Sequence, residues 1–276
     1  MTDCYYRRLG CDGEFQVFES TTGTSSNWDV EIQHGSPPLA LLTKCIEELA
    51  APSGGPERSQ SGNRPGLRIG RLALDILGAI PVAPVKVRAA VLRPGVRISL
   101  VAAEMFPAGP GDSPRPVARV TAWLLAPSDT RDAATDRYPP LVEGTSVPHE
   151  HDWQGAPGYL ETVSWHTQPT ADGEPAVAWL SSLVPLVHGE APTDLQRLAM
   201  VVDSANGVGA VLDPQEFVFM NTDTTVHLHR APTGDDFGIR ARASIGPDGI
   251  GATTAELFDR QGFIGTSAQT LLVQRR

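Results

Sequence analysis

The sequence predicts an α+β fold of two tandem units, each a central helix packed on a curved antiparallel sheet. Three observations predict it. A 19-residue segment occurs twice, a capped helical pattern precedes each copy, and a long stretch rich in Pro, Asp and Gly separates the two sets. Within each unit the order is strand, helix, then several antiparallel strands. The expected division is a first unit at 1–126, a linker at 127–158 and a second unit at 159–276, the last carrying the candidate site.

The repeat comes first because it fixes the rest. Arg88–Phe106 reads RAAVLRPGVRISLVAAEMF and Arg240–Phe258 reads RARASIGPDGIGATTAELF, at an ungapped offset of 240 − 88 = 152. Identities fall at Arg88/Arg240, Ala89/Ala241, Ile98/Ile250, Ala103/Ala255, Glu104/Glu256 and Phe106/Phe258. Each copy alternates on both sides of a turn, RPG in the first and GPDG in the second, which is hairpin chemistry. Strand-like alternation precedes each hairpin, in LALDILGAIP (72–81) and TVHLHRAPTG (225–234), and a closing strand follows each, in VARVTAWLLA (117–126) and GTSAQTLLVQ (265–274). In that alignment Trp123 and Gln269 correspond. PAGPGDSPRP, in the first unit, reads as a loop.

Upstream of each strand set lies a helix of about three turns, a common length. For SPPLALLTKCIEELA (36–50), Ser36 is the expected N-cap, with Pro37 and Pro38 in the first turn. Leu39, Leu42, Ile46 and Leu49 supply a buried stripe. For TDLQRLAMVVDSANG (193–207), Thr193 and Gln196 match the T-x-x-Q capping box, and Leu195, Leu198 and Val202 form the core face. Residues 51–66 and 127–158 read as a mobile loop and a covering linker.

Composition excludes several classes of function. A chain of 276 residues with 41% hydrophobic and 20% charged residues can bury a large core, and it has no apolar run long enough to span a bilayer. Its net charge of −10 opposes non-specific nucleic-acid binding, although a few Arg side chains or a helix start can still serve a phosphate-bearing ligand. Cys4, Cys11 and Cys45 lack metal-type spacing, so free thiols are expected rather than a disulfide framework or zinc site. The N-terminus has no secretory pattern, which points to a cytoplasmic protein.

The duplicated helix-and-sheet pattern resembles the thioesterase-like superfamily of the acyl-CoA thioesterase II type, whose fold is a double hotdog. HGSPPLALL (34–42) is similar to the His-Gly turn into the central helix of such proteins. AMVVDSANGVGAVL, NTDTTVHLHRAP and DRQGFIGTSAQTLLVQ are similar to the elements that carry that family's site. In the family an Asp on the second central helix, a Thr on the following strand and a Gln on the last strand hold the attacking water. Counting back from His229-Arg230, the resemblance places these roles on Asp203, Asn221 and Gln269, with Asn221 standing where the family has Thr and Thr222 beside it. It implies hydrolysis of a fatty acyl-CoA with no cofactor or metal, contacts to substrate from His34, Gly35, Thr222 and Arg230, and a homo-oligomer of double-hotdog units as an open expectation.

Other readings stand beside this one. Asp203 fits either a solvated polar face or a water-orienting carboxylate. His34 is either a turn residue before a capped helix or support for an oxyanion held at the helix start. His227 and His229 share a strand face with Asp223 and Thr225, which suits a structural strand better than a metal site. His149 and His151 are expected at the surface. Asp29 and His34 have the five-residue spacing of hotdog enoyl-CoA hydratases, and Asn221 suits a non-catalytic acyl-CoA or lipid-binding module.

Overall fold

The computed structural model describes residues 2–51, 66–109, 115–141, 147–148, 157–171 and 173–276. Most of the 51–66 loop, and His149 and His151, lie outside these residues. In the first half, β1 (Tyr6–Asp12) and β2 (Phe15–Ser20) precede helix α1 (Ser36–Ala50). β3 (Arg68–Ile76), β4 (Pro84–Arg93), β5 (Ile98–Pro107) and β6 (Ala118–Leu125) follow it. The linker stretch supplies a two-residue strand, β7 (Val147–Pro148). In the second half, β8 (Val163–Gln168) and β9 (Ala176–Ser182) precede helices α2 (Asp194–Val202) and α3 (Ala205–Val208). Then come β10 (Phe217–Asn221), β11 (Asp223–Leu228), β12 (Phe237–Ile245), β13 (Ile250–Asp259) and β14 (Gly262–Arg275).

All the strands join one 14-stranded sheet in the order β1-β2-β4-β5-β6-β3-β11-β14-β13-β12-β9-β8-β7, with β10 added alongside β14. Apart from β7 and β10, this order has the same sequence of counterparts read from either end. The seam is the antiparallel pair β3–β11, where Thr225 faces Ala73, Thr224 faces Leu74 and Val226 faces Leu72. Because Ala73 and Thr225 differ by the repeat offset, each seam pair maps onto another when the halves are exchanged. An approximate two-fold therefore passes between Ala73 and Thr225. α1 packs on β4, β5 and β6 and against α2, while α2 and α3 lie on β9, β12 and β13. One hydrophobic core, including Leu39, Leu42, Ile46, Leu198 and Val202, runs across both halves.

The repeat extends to side-chain contacts. Arg88 sits opposite Glu104 across the first hairpin and Arg240 opposite Glu256 across the second. The first pair closes at 3.1 Å, and Arg240 Nε donates to Glu256 at 2.7 Å. Each guanidinium also lies near the repeated ring, 5.7 Å from the Phe106 centroid and 5.0 Å from that of Phe258. The identities are thus the two strands of a hairpin, an ion pair and a ring beneath it.

Register corrects one alignment. Val101 pairs with Ala122 and Thr253 with Gln269, and since 253 − 101 = 152, Gln269 corresponds to Ala122 rather than Trp123. The seam likewise makes Thr224 the counterpart of Leu72. A slip of one residue moves a strand's whole inward-facing set to the opposite face.

The helices depart from expectation at their ends. Gly35, not Ser36, is the N-cap of α1. The His34 ring takes over the capping task, Nδ1 accepting from Ser36 N–H at 3.1 Å. Leu49 is exposed, so the α1 stripe stops at Ile46. Thr193 caps α2 by accepting from Gln196 N–H, but the Gln196 amide turns to Glu47 instead of closing a capping box. The single helix expected over 193–207 is broken after Val202. The buried Tyr159 hydroxyl donates to the Met200 carbonyl at 2.9 Å, and Ser204 N–H bonds Val201 O instead, tightening the last turn. Insertion of a side chain into the helical ladder is a recognised cause of such breaks, and here it falls beside Asp203.

Candidate active site

Asp203 follows the last residue of α2 and is 2% exposed. A buried carboxylate needs donors, and Oδ1 has three. Asn221 Nδ2 donates at 2.7 Å, the Thr224 hydroxyl donates at close range, and Gln269 Nε2 approaches to 3.3 Å. Gln269 Nε2 also donates to the Asp203 carbonyl at 2.9 Å and to Thr224 Oγ1 at 3.0 Å. Every partner of the two amide nitrogens is an acceptor, which fixes both amide orientations. These side chains converge because Thr224 shares the inward face of β11 with Val226 and Leu228, and Gln269 shares that of β14 with Leu271 and Val273.

The opposite wall is the start of α1. A Cβ built on Gly35 would lie 2.8 Å from Asp203 Cγ, so only glycine fits beneath this carboxylate. His34 Nδ1 is 3.7 Å from Asp203 Oδ2, and its ring stacks on Tyr159 at 3.9 Å between centroids. Burial pushes the His34 pKa down against the pull of Asp203. A neutral imidazole accepting at Nδ1 carries its proton on Nε2. Pro37 and Pro38 have no N–H, and Ser36 N–H is spent on His34, so Gly35 N–H is the donor left at the helix start.

Part of this cluster opens onto a cavity of about 400 Å³ with Trp28, Ile76, Ile80 and Phe219 in its walls. His34, Gly35, Asp203, Asn221 and Thr222 also line it. The Trp28 and Phe219 rings meet edge to face at 5.2 Å. An apolar chamber that ends in the Asp203 carboxylate and the Asn221 amide, with Thr224 and Gln269 buried behind them, suits an apolar ligand with a polar end.

Models of the two halves of one enzyme family match this chain: the acyl-CoA thioesterase N-terminal domain over residues 24–125 and the C-terminal domain over 135–273. The chain belongs to the acyl-CoA thioesterase family. No curated protein matches it. Among solved structures, a hot dog fold protein from Alicyclobacillus acidocaldarius aligns with a TM-score of 0.68 at 15% identity, over 96% of this chain and 94% of that one. The acyl-CoA thioesterase II TesB2 of Mycobacterium marinum aligns at 0.61 and 11%, and the tesB protein of Mycobacterium avium subspecies paratuberculosis at 0.60 and 13%, each over 98% of this chain and 95% of its own. At these identities the likeness concerns the fold, and a large antiparallel sheet with few helices fits a double hotdog.

Within this thioesterase frame the structure brings Asp203, Asn221 and Gln269 together and adds a residue missed from sequence. Thr224 is fully buried and bonded to Asp203, Gln269 and Asn221, so a strand threonine lies beside Asn221 in the same cluster. The signal was present: Thr224 is in phase with Val226 and Leu228, a hydroxyl on an otherwise apolar strand face. Thr222 is exposed at the cavity rim, where its hydroxyl lies 3.4 Å from the Thr270 carbonyl.

Arg230 is a correction. Its guanidinium clamps Asp259, donating at 2.6 and 2.5 Å, and reaches the Gly262 and Phe263 carbonyls. It does not line the cavity. The hydratase-like pair is also not assembled: Asp29 is exposed and accepts from Glu31 N–H, away from the stacked His34. His229 Nε2–H donates to the Phe263 carbonyl at 2.9 Å, a structural contact. Cys4, Cys11 and Cys45 are free, and no helix among the described residues is long and apolar enough to cross a membrane.

Proposed function

We propose that this protein hydrolyses a fatty acyl-CoA thioester, with a water molecule activated by Asp203, whose carboxylate Asn221, Thr224 and Gln269 hold in place. The reading is carried by one observation, the unequal use of the Asp203 oxygens. Oδ1 is saturated by Asn221, Thr224 and Gln269, while Oδ2 faces His34 and Gly35 without a hydrogen bond among the described residues. Oδ2 is then the atom that takes the proton as water attacks the thioester carbon. Gly35 N–H, at the positive end of α1, meets the carbonyl oxygen as its charge develops. The thiolate of CoA leaves directly, so no acyl-enzyme forms. Asn221 braces both Asp203 and Thr224, and the aromatic and aliphatic cavity wall receives the acyl chain.

A thiol-release assay across acyl-CoA chain lengths, with Asp203→Asn in parallel, tests this. Turnover that peaks at one chain length and falls by about 10² to 10⁴ in the variant is expected, the range typical of general-base assistance. Undiminished turnover in a folded Asp203→Asn protein would remove the assignment. Saturable binding without thiol release in the wild type would favour a non-catalytic acyl-CoA-binding protein.

A further inference from the structure

The approximate two-fold makes a second pocket, and part of its wall corresponds by position to that of the first. Ile76, Ala79 and Ile80 line the Asp203 cavity, and at the repeat offset Leu228, Ala231 and Pro232 line another, of about 380 Å³. Phe219, Met220 and Asn221 are matched in the same way by Leu67, Arg68 and Ile69. The helices exchange roles as the symmetry requires. The first cavity joins the start of α1 to a carboxylate at the end of α2. The second joins the start of α2, at Thr193, to Glu47 near the end of α1, where Thr193 Oγ1 donates to Glu47 at 3.0 Å and Gln196 Nε2 at 2.6 Å. Gln196 Oε1 beside this carboxylate is buried and takes no partner among the described residues.

We infer that this second cavity binds another molecule of the acyl-CoA thioester and does not hydrolyse it, an inference that rests on the thioesterase reading of the first. Hydrolysis is lost because the inward-facing counterparts of Thr224 and Gln269 are Leu72 and Ala122, which have no group to hold a carboxylate in place. Binding survives because the cavity keeps its volume and an apolar wall of Leu67, Ile69, Leu124 and Leu228. The head group is chosen by charge. Glu47 would repel the carboxylate of a free fatty acid, whereas a thioester is neutral and leaves only its remote phosphates to be met, for which the half-buried Arg68 guanidinium is at hand. The chain itself offers no substitute occupant in the segment between Ala51 and Gly66, PSGGPERSQSGNRP, which has no Leu, Ile, Val, Met or aromatic residue.

The test is the number of sites per chain for S-dodecyl-CoA, a thioether that cannot be hydrolysed, measured by calorimetry. Wild type should bind two equivalents. Ala231→Trp and Ala79→Trp, at exposed and corresponding rim positions outside the core, should each retain one, and the double variant none. Dodecanoate should fail to displace the equivalent that survives in Ala79→Trp. A single wild-type site that is lost in Ala79→Trp and kept in Ala231→Trp would overturn the second site while leaving the proposed function standing. Two sites that both persist in Ala231→Trp would also overturn it. No binding at all would remove the thioesterase reading itself.

Discussion

The two cavities share a framework and differ in what projects from it. In one, Thr224, Gln269 and Asn221 face the interior. In the other the same positions hold Leu72, Ala122 and Ile69, all buried. The backbone register is the same, so the sheet that builds a reactive centre builds an inert one equally well. Each carboxylate also has a different task. Glu47 is occupied in capping α2 through Thr193 and Gln196, and burial raises its pKa. Asp203 has an oxygen to spare, because the Tyr159 hydroxyl ends the helix ahead of it.

Exchanging strand residues should break this contrast most sharply. Thr224→Val removes a hydroxyl that holds Asp203, and kcat should fall by about 10² to 10³, as for loss of one oriented donor. The mirror change, Leu72→Thr, should leave kcat within about two-fold and cost stability instead, roughly 1 to 3 kcal/mol for an unpartnered buried hydroxyl. Steady-state kinetics and urea unfolding on both proteins separate the two outcomes. Equal kinetic loss in the pair would show that the halves do not divide the labour.

Gly35→Ala is next. Its new methyl overlaps the Asp203 carboxylate, so the carboxylate must move, and displacement on the order of 1 Å can cost about 10² in rate. Here kcat should fall with little change in KM, and an unaltered kcat would mean that Asp203 can shift without consequence.

Two smaller effects distinguish the halves by stability. The Arg230–Asp259 clamp belongs to the second half alone, since Gly78 and Pro107 occupy its counterpart positions. Burial opposes ionisation of Asp259, but bonds from Arg230, Gln261 N–H and Thr233 outweigh it and hold the pKa below the ordinary value. Arg230→Met strands that carboxylate and should cost about 3 kcal/mol in urea unfolding, with turnover retained at temperatures where the variant is folded. Loss of substrate binding out of proportion to stability would return Arg230 to the site.

The helix caps give the smallest effect. α2 is capped by a hydroxyl and α1 by an imidazole. Because the folded His34 pKa lies below the unfolded value of 6.5, the unfolded state binds the extra proton as pH falls. The cap's contribution is therefore complete above 6.5 and lost progressively below it. His34→Asn keeps an acceptor that does not titrate, so the slope of Tm against pH below 6.5 should flatten in that variant. An unchanged slope would place the titration elsewhere.

The architecture was legible because duplication prints it twice. Arg88, Glu104 and Phe106 reappear as Arg240, Glu256 and Phe258 for a reason now visible, an ion pair and ring set across a hairpin. Asp203 and Gln269 were legible through the family resemblance, since the chain alone left Asp203 open to a solvated polar face. Thr224 was not, because counting back from His229-Arg230 lands on Asn221, although the phase of Thr224 with Val226 and Leu228 separates it from the adjacent Thr225. The α2 break was hidden for another reason. Its cause, Tyr159, lies more than forty residues upstream, and no local pattern marks a distant hydroxyl inserted into a helix ladder. Arg230 misled because a conspicuous cation beside a site motif looks available until its acidic partner is found 29 residues later.

At the Ala73–Thr225 crossing the protein meets its own image, strand β3 against strand β11, while the covalent link between the halves runs through 127–158. Severing that link with a protease should leave a two-piece molecule held by the β3–β11 ladder, the α1–α2 contact and the stacked rings of Tyr5 and Tyr159. A nicked sample that still elutes as one species on gel filtration would mark the tether as a keeper of one-to-one pairing. Fragments that drift apart would show that the interface cannot stand without it.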